Sequence, residues 1–366
     1  MKARSSRMVI FVGVLAWLIG GVYSSSFALN IALNDVNPNP GGSSPTALAA
    51  FEAAADLWEG LFTDNVTLHL DVSFESLSPG ILGQAASTQD LYTYSGVRNA
   101  LDVDQSSADD STAVTHLQSG TSVDLLTNRT SNSPNGAGNS TPFVDNDGDA
   151  NNSVIRMSNG NAKALGLLAA HNAAVDASLT FNSDFNFDFT PGDGITGGAF
   201  DFVGVAAHEI GHALGYISGV DILDINSPPI NGPFPDHQFT FVSTLDLFRF
   251  SQDSVDAGGI IDWTADARSK FFSIDGGTTN LGTFSTGKNF GDGKQASHWQ
   301  DNLGLGILDP TATPGELLGI TTLDIQAFDV IGWDVAVLSQ NPEPGTMLLL
   351  STGLIGLLGY GWRRRT

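Results

Sequence analysis

The chain reads as an α+β protein: an α/β N-terminal lobe built around one apolar helix, an irregular C-terminal lobe, and a cleft between them. Two observations predict this division. Segments of helical and of strand periodicity alternate as far as Gly215, whereas beyond it the helical period fades and turns rich in Pro, Gly and Asp run to about Thr322. A third observation sets the size. About 310 of the 366 residues lie between two apolar ends, enough for a large buried core.

The elements follow in order. After a Pro/Gly/Ser-rich stretch over 37–45, residues 46–62 predict an amphipathic helix with Leu48, Phe51, Ala55, Leu57, Trp58 and Leu61 among its apolar positions. Residues 66–74 alternate as a strand. The pattern predicts helices over 90–101 and 162–174, with a Ser/Asn/Gly-rich loop over 127–140 between them. Residues 178–189 alternate again through Leu179, Phe181, Phe185, Phe187 and Phe189. A Pro-Gly-Asp-Gly turn at 191–194 and Gly197-Gly198 then lead into the apolar helix, with Asp201 as its N-cap. A late helix is expected over 323–330, and no internal repeat is visible.

The two ends carry address signals. Lys2, Arg4 and Arg7 precede an apolar run over 8–22 and a small-x-small site at Ser26-Phe27-Ala28, the pattern of a signal peptide cleaved after Ala28. At the other end Pro342-Glu343-Pro344 precedes an apolar stretch over 347–362 that closes with Arg363-Arg364-Arg365. This tripartite end resembles the PEP-CTERM sorting signal of Gram-negative bacteria. The resemblance implies transient anchoring in the inner membrane, processing by an exosortase-type enzyme, and export to the cell surface or beyond; a plain membrane anchor is the alternative. The chain thus divides into a signal peptide (1–28), a body (29–340, lobes 29–215 and 216–340) and a sorting segment (341–366).

Charge narrows the partners. Six of the 15 basic and one of the 39 acidic residues sit in the two ends, leaving the body with 9 basic and 38 acidic side chains and a net charge of about −29. Such a surface repels nucleic acid. No cysteine is present, so an exported chain of this kind relies on packing, and on metal ions, rather than on disulfides.

The chemistry-bearing motif is His208-Glu209-Ile210-Gly211-His212. On a helix, positions i and i+4 share a face, so both imidazoles can reach one metal ion, and the intervening glutamate can act on a water at that metal. With 7 histidines and 6 glutamates in the chain, H-E-x-x-H arises by chance in only about two such chains per thousand. The alternative, a merely structural helix, leaves two histidines and a glutamate in an apolar run without a reason. The pattern predicts a Zn²⁺ site with Glu209 as the general base of a peptidase.

A catalytic zinc takes three protein ligands and leaves one position open. Gly215 suits the glycine of an extended H-E-x-x-H-x-x-G-x-x-H pattern, but Ser218 stands where the third histidine would be. Asp221 has the wrong offset, and Glu316 follows Pro314-Gly315. His237 and His298 are the downstream histidines. The motif through Tyr216, followed after a long insertion by Ser297-His298-Trp299, resembles the leishmanolysin branch of the metzincins. That resemblance implies a metzincin-like catalytic domain, zinc held by His208, His212 and His298, and hydrolysis of peptide bonds in proteins or peptides. It also implies a methionine turn beneath the metal; here Gly306-Ile307-Leu308-Asp309-Pro310 occupies the equivalent place, with Leu308 for the methionine. A non-catalytic zinc-containing surface or biofilm-matrix protein is the second reading, and an anchored envelope-processing peptidase a third.

Smaller expectations complete the sequence picture. The strand at 178–189 would pair with an extended substrate. His237 reads as a loop histidine, while His69, His116 and His171 read as structural. Asp145-Asn146-Asp147-Gly148-Asp149 has the composition of a Ca²⁺ loop, but its glycine is misplaced for an EF-hand, and a solvated acidic turn is the favoured reading.

Overall fold

A computed structural model describes residues 29–38 and 42–336, so the expected signal peptide and the expected sorting segment lie outside the described residues. The architecture is mixed α+β, with several small sheets. The largest sheet has four strands: β1 (Asn30–Asp35), β2 (Thr67–Glu75), β3 (Gly83–Ser87) and a later strand, Ala177–Asn182, that inserts between β2 and β3. β1 and β2 run parallel, with Leu33 opposite Leu70. The inserted strand runs parallel to β2 and antiparallel to β3, with Leu179 opposite both Val72 and Ala85. Alternate β2 residues Leu68, Leu70 and Val72 are fully buried, the half-buried period expected of this strand.

Between β1 and β2 lies α1 (Pro45–Glu59), which the Ser44 hydroxyl caps by accepting from the Ala47 amide. It ends at Gly60, slightly before the expected boundary.

The predicted helix over 90–101 divides in two. Its first residues form β4 (Gln89–Thr93), paired antiparallel with β7 (Val154–Ser158), and only then does α2 (Tyr94–Asp104) begin. Strand pairing overrides the helical pattern there, and the Thr93 side chain caps the helix that follows.

α3 (Ala108–His116) leads to β5 (Leu125–Thr127), β6 (Phe143–Asp145) and the short α4 (Ala150–Ser153) that precedes β7. Next comes α5 (Asn159–Ala164), all that forms of the helix expected over 162–174. Gly166, in the left-handed region at φ 65°, stops it. The following loop instead closes over Lys163, whose buried ammonium donates to the Thr67 and Asn172 carbonyls and to Asp176.

The inserted strand is β8. The alternating segment expected to run unbroken over 178–189 leaves the sheet at Asn182 and resumes as β9 (Phe187–Asp188), which pairs with β10 (Phe200–Asp201).

From β10 the chain enters α6 (Phe202–Leu214), the apolar helix of the motif. Asp201 caps it as predicted, accepting from the Gly204 amide at 3.0 Å. Gly215 closes it at φ 126°, where a Cβ would stand 2.9 Å from Asn161. Phe202 roots the helix in an aromatic cluster, with ring centroids 4.9 Å from Phe51, 5.0 Å from Phe181 and 4.7 Å from Phe189. Two buried tryptophans tie down its backbone: Trp58 donates to the Ala207 carbonyl and Trp333 to that of Leu214, each at 2.9 Å.

Past Gly215 regular structure is sparse, as expected: α7 (Val220–Ile225), β11 (Arg249–Phe250), α8 (Gln252–Asp256), β12 (Ile261–Asp262), β13 (Lys270–Phe272), β14 (Gly282–Phe284) and α9 (Thr322–Val330). β12 pairs with β5, so one small sheet joins segments from both sides of Gly215. Among the described residues no helix is long and apolar enough to cross a membrane.

Candidate metal centre

α6 lays His208 and His212 side by side, and the 295–299 segment brings His298 to them from far along the chain. Their Nε2 atoms form a near-equilateral triangle: His208 to His212 3.1 Å, and each of these to His298 3.2 Å. Every Nδ1 faces a backbone carbonyl instead: Ile307 for His208 and Tyr216 for His212, both at 2.7 Å, and Gln295 for His298 at 3.3 Å. A carbonyl only accepts, so the ring proton sits on Nδ1 and the three Nε2 lone pairs confront one another.

Burial keeps the rings neutral. It pushes His208 down to about 3, helped by neighbouring His212, and lowers His212; His298 falls well below the ordinary imidazole range through burial and then the other two rings. Three converging lone pairs with no proton between them repel, and a cation removes that conflict. A tetrahedral ion with bonds of about 2.0–2.1 Å needs donor atoms roughly 3.3 Å apart. The donor set therefore fits a nitrogen-binding metal of tetrahedral preference, held by three residues that line a cleft.

That cleft has a volume of about 1030 Å³ and is lined by β3, α6 and the segments around 217–225, 288–298 and 309–312. Glu209 stands in its wall beside the triad, 5% exposed. Among the described residues no hydrogen bond holds its carboxylate, and burial alone pushes it up to about 8. Its side chain lies over Gly83 of β3, where a Cβ would come within 3.0 Å of Oε1 and 3.1 Å of Cγ. The glycine is what admits the glutamate.

The other candidates fall elsewhere. Asp221 is not a fourth donor: its carboxylate accepts from the Ala296 amide at 2.6 Å and the Ser297 hydroxyl at 2.5 Å, anchoring the segment that presents His298. Burial raises it to about 6 against those hydrogen bonds. Ser218 donates its hydroxyl to buried Asp246. His237 is exposed, beside Asp149 and Asp236, and does not line the cleft. Glu316 is exposed and caps its own turn by accepting from Thr313. Tyr216 is fully buried against Trp299 and does not line the cleft.

The expectation that 178–189 pairs with substrate does not hold for the part that lies in the main sheet, Ala177–Asn182. β8 is hydrogen-bonded on both sides, by β2 and β3, so neither of its own edges is free, whereas β9 is paired on one side only, by β10. β3 is one of the sheet's two edge strands, and it lines the cleft.

Sequence reasoning missed the residues that position the triad. Asp324, at the start of α9, accepts from the Trp299 indole and from the Ile307 amide, each at 2.8 Å. It thereby ties together the neighbour of His298 and the residue whose carbonyl orients His208. Its Thr321-x-x-Asp324 capping box is a legible signal for the helix start, though not for this reach. Leu308 is fully buried beneath α6, where a Cβ on Gly211 would meet its methyls at 3.2 and 3.3 Å.

The family model for the PEP-CTERM protein-sorting motif matches residues 342–365. The match marks the chain for export by a sorting route in which an exosortase reads this signal. No curated protein and no solved structure matches the chain.

Proposed function

We propose that the exported chain is a zinc-dependent endopeptidase, akin to the leishmanolysin-like metzincins. The observation that carries this reading is the triangle of three Nε2 lone pairs, 3.1–3.2 Å on a side, opening into a cleft beside an unengaged glutamate. The match of Ser297-His298-Trp299 and of the helical motif to that family's pattern supports it, as does Leu308 packed under α6.

His208, His212 and His298 would hold the ion, their orientation set by the Ile307, Tyr216 and Gln295 carbonyls. Zinc bound there supplies Lewis acidity, polarising the scissile carbonyl and acidifying water. Glu209 takes a proton from the attacking water and returns it to the leaving amine. Its perch over Gly83, without a competing hydrogen bond, leaves both carboxylate oxygens free for that exchange. The open edge of β3 receives the substrate backbone as an added strand, fixing the scissile bond over the triad.

Cleavage of casein by the purified chain, loss of cleavage with a chelator and recovery with zinc test the reading. Glu209→Gln is expected to retain zinc and lose at least ~100-fold in rate; a Gln variant of undiminished activity removes glutamate from this role.

A further inference from the structure

A second group of candidate metal donors lies outside the cleft, where the 145–149 turn after β6 meets the turn at 236–237. The carboxylate oxygens of Asp145, Asp147 and Asp236 lie within 4.8 Å of one another, and Asp149 and Asp236 stand equally close to His237. Asp145 and Asp236 are 4% and 3% exposed, so the inner end of the acidic turn is buried while Asn146, Asp147 and Gly148 face solvent as expected. Among the described residues no lysine or arginine is ion-paired with either. Buried carboxylates at this spacing repel unless a cation lies between them.

The neighbouring amides give an independent indication. Asn151, 1% exposed, donates its Nδ2 to the Asp145 carboxylate at 2.7 Å, and its Oδ1 has no partner. Asn152 is fully buried, donates to the Asp145 carbonyl at 3.2 Å, and its Oδ1 is likewise unpartnered. A fold seldom leaves two buried amide oxygens unmatched.

We infer that this junction is a calcium site, with the carboxylates of Asp145, Asp147 and Asp236 as charged ligands and the Asn151 amide oxygen as a neutral one. Hard oxygen donors from two irregular turns suit Ca²⁺, whose coordination is large and adaptable; Mg²⁺ demands a tighter octahedron. The ion joins the end of β6 to the loop before β11. Calcium is scarce in the cytoplasm and abundant outside, so the junction is completed after export. The inference is independent of the histidine triad.

The full chain, stripped of metal, is dialysed against calcium alone and then melted with and without it. One calcium per chain is expected, with a Kd of about 10⁻⁴–10⁻³ M, and the melting temperature rises by roughly 2 °C at ten times that Kd. Asp236→Asn and Asp147→Asn each weaken calcium binding at least ~10-fold, and magnesium does not substitute. Asp147 is exposed, so its variant serves if the buried one does not fold. Absence of bound calcium on the folded wild type at about 5 mM overturns the inference. So does a shift undiminished in both variants, or a site that takes zinc but not calcium and is lost in His237→Ala.

Discussion

At the residue scale, the site depends on small distances that single substitutions can test. Gly83→Ala places a methyl 3.0 Å from the Glu209 carboxylate oxygen and 3.2 Å from the Phe181 ring, so the glutamate must move. Metal should stay bound while the rate falls on the order of 10–100-fold, since sub-ångström misplacement of a base is costly. Zinc content and kcat on the same preparation check this. His208, His212 and Glu209 were legible in five adjacent letters because helical geometry alone puts the two histidines on one face with the glutamate next to the first. His298 was reached through the Ser-His-Trp resemblance, because no local rule says which distant loop returns to a helix. Gly83 was invisible: its role exists only once β3 crosses the helix.

At the element scale, α6 could be read from its period and its Asp201 cap, and α9 likewise. The misread segments share one cause. Residues 90–93 and 183–186 were assigned by local pattern, yet a partner strand in one case and departure from the sheet in the other decided their state. Asp324 shows how one element serves another. Asp324→Ala should weaken zinc binding about 10–100-fold, as removal of groups that orient ligands does, measurable by competition with a zinc indicator. A plain helix cap would change stability without changing metal affinity.

A second acidic group links α2, α9 and the loop after α1. Burial, then the charge of Asp334, pushes Asp64 up to about 8; Asp104 rises to about 7 from burial and the same neighbour, and Asp329 to about 7 chiefly from burial. These folded-state values lie above the unfolded ones near 4, so the folded chain holds the protons more tightly. Their contribution is complete below pH 4 and lost as pH rises through about 7–8. Asp64→Asn, which keeps an acceptor for the Asp334 amide, should therefore melt on the order of 2–4 °C above wild type at pH 8, with the gap closing only by about pH 4. Melting curves across that range check it, and a constant gap would contradict it.

At the scale of the whole molecule, the sequence carried the export route, the acidic surface and the α+β class. It did not carry the small sheet that joins β5 to β12, because pairings of two or three residues leave no periodic trace. Without disulfides, stability rests on packing around α6. Phe51, fully buried and touching Phe74, Phe181 and Phe202, is a central part of it. Phe51→Ala should cost about 3–5 kcal/mol, read as a lowered denaturation midpoint.

The most direct test of the whole account is the zinc content of the purified chain beside its His298→Ala variant. One zinc per wild-type chain is expected, and a variant near background. A variant that keeps a full equivalent would mean that the three imidazoles do not share an ion.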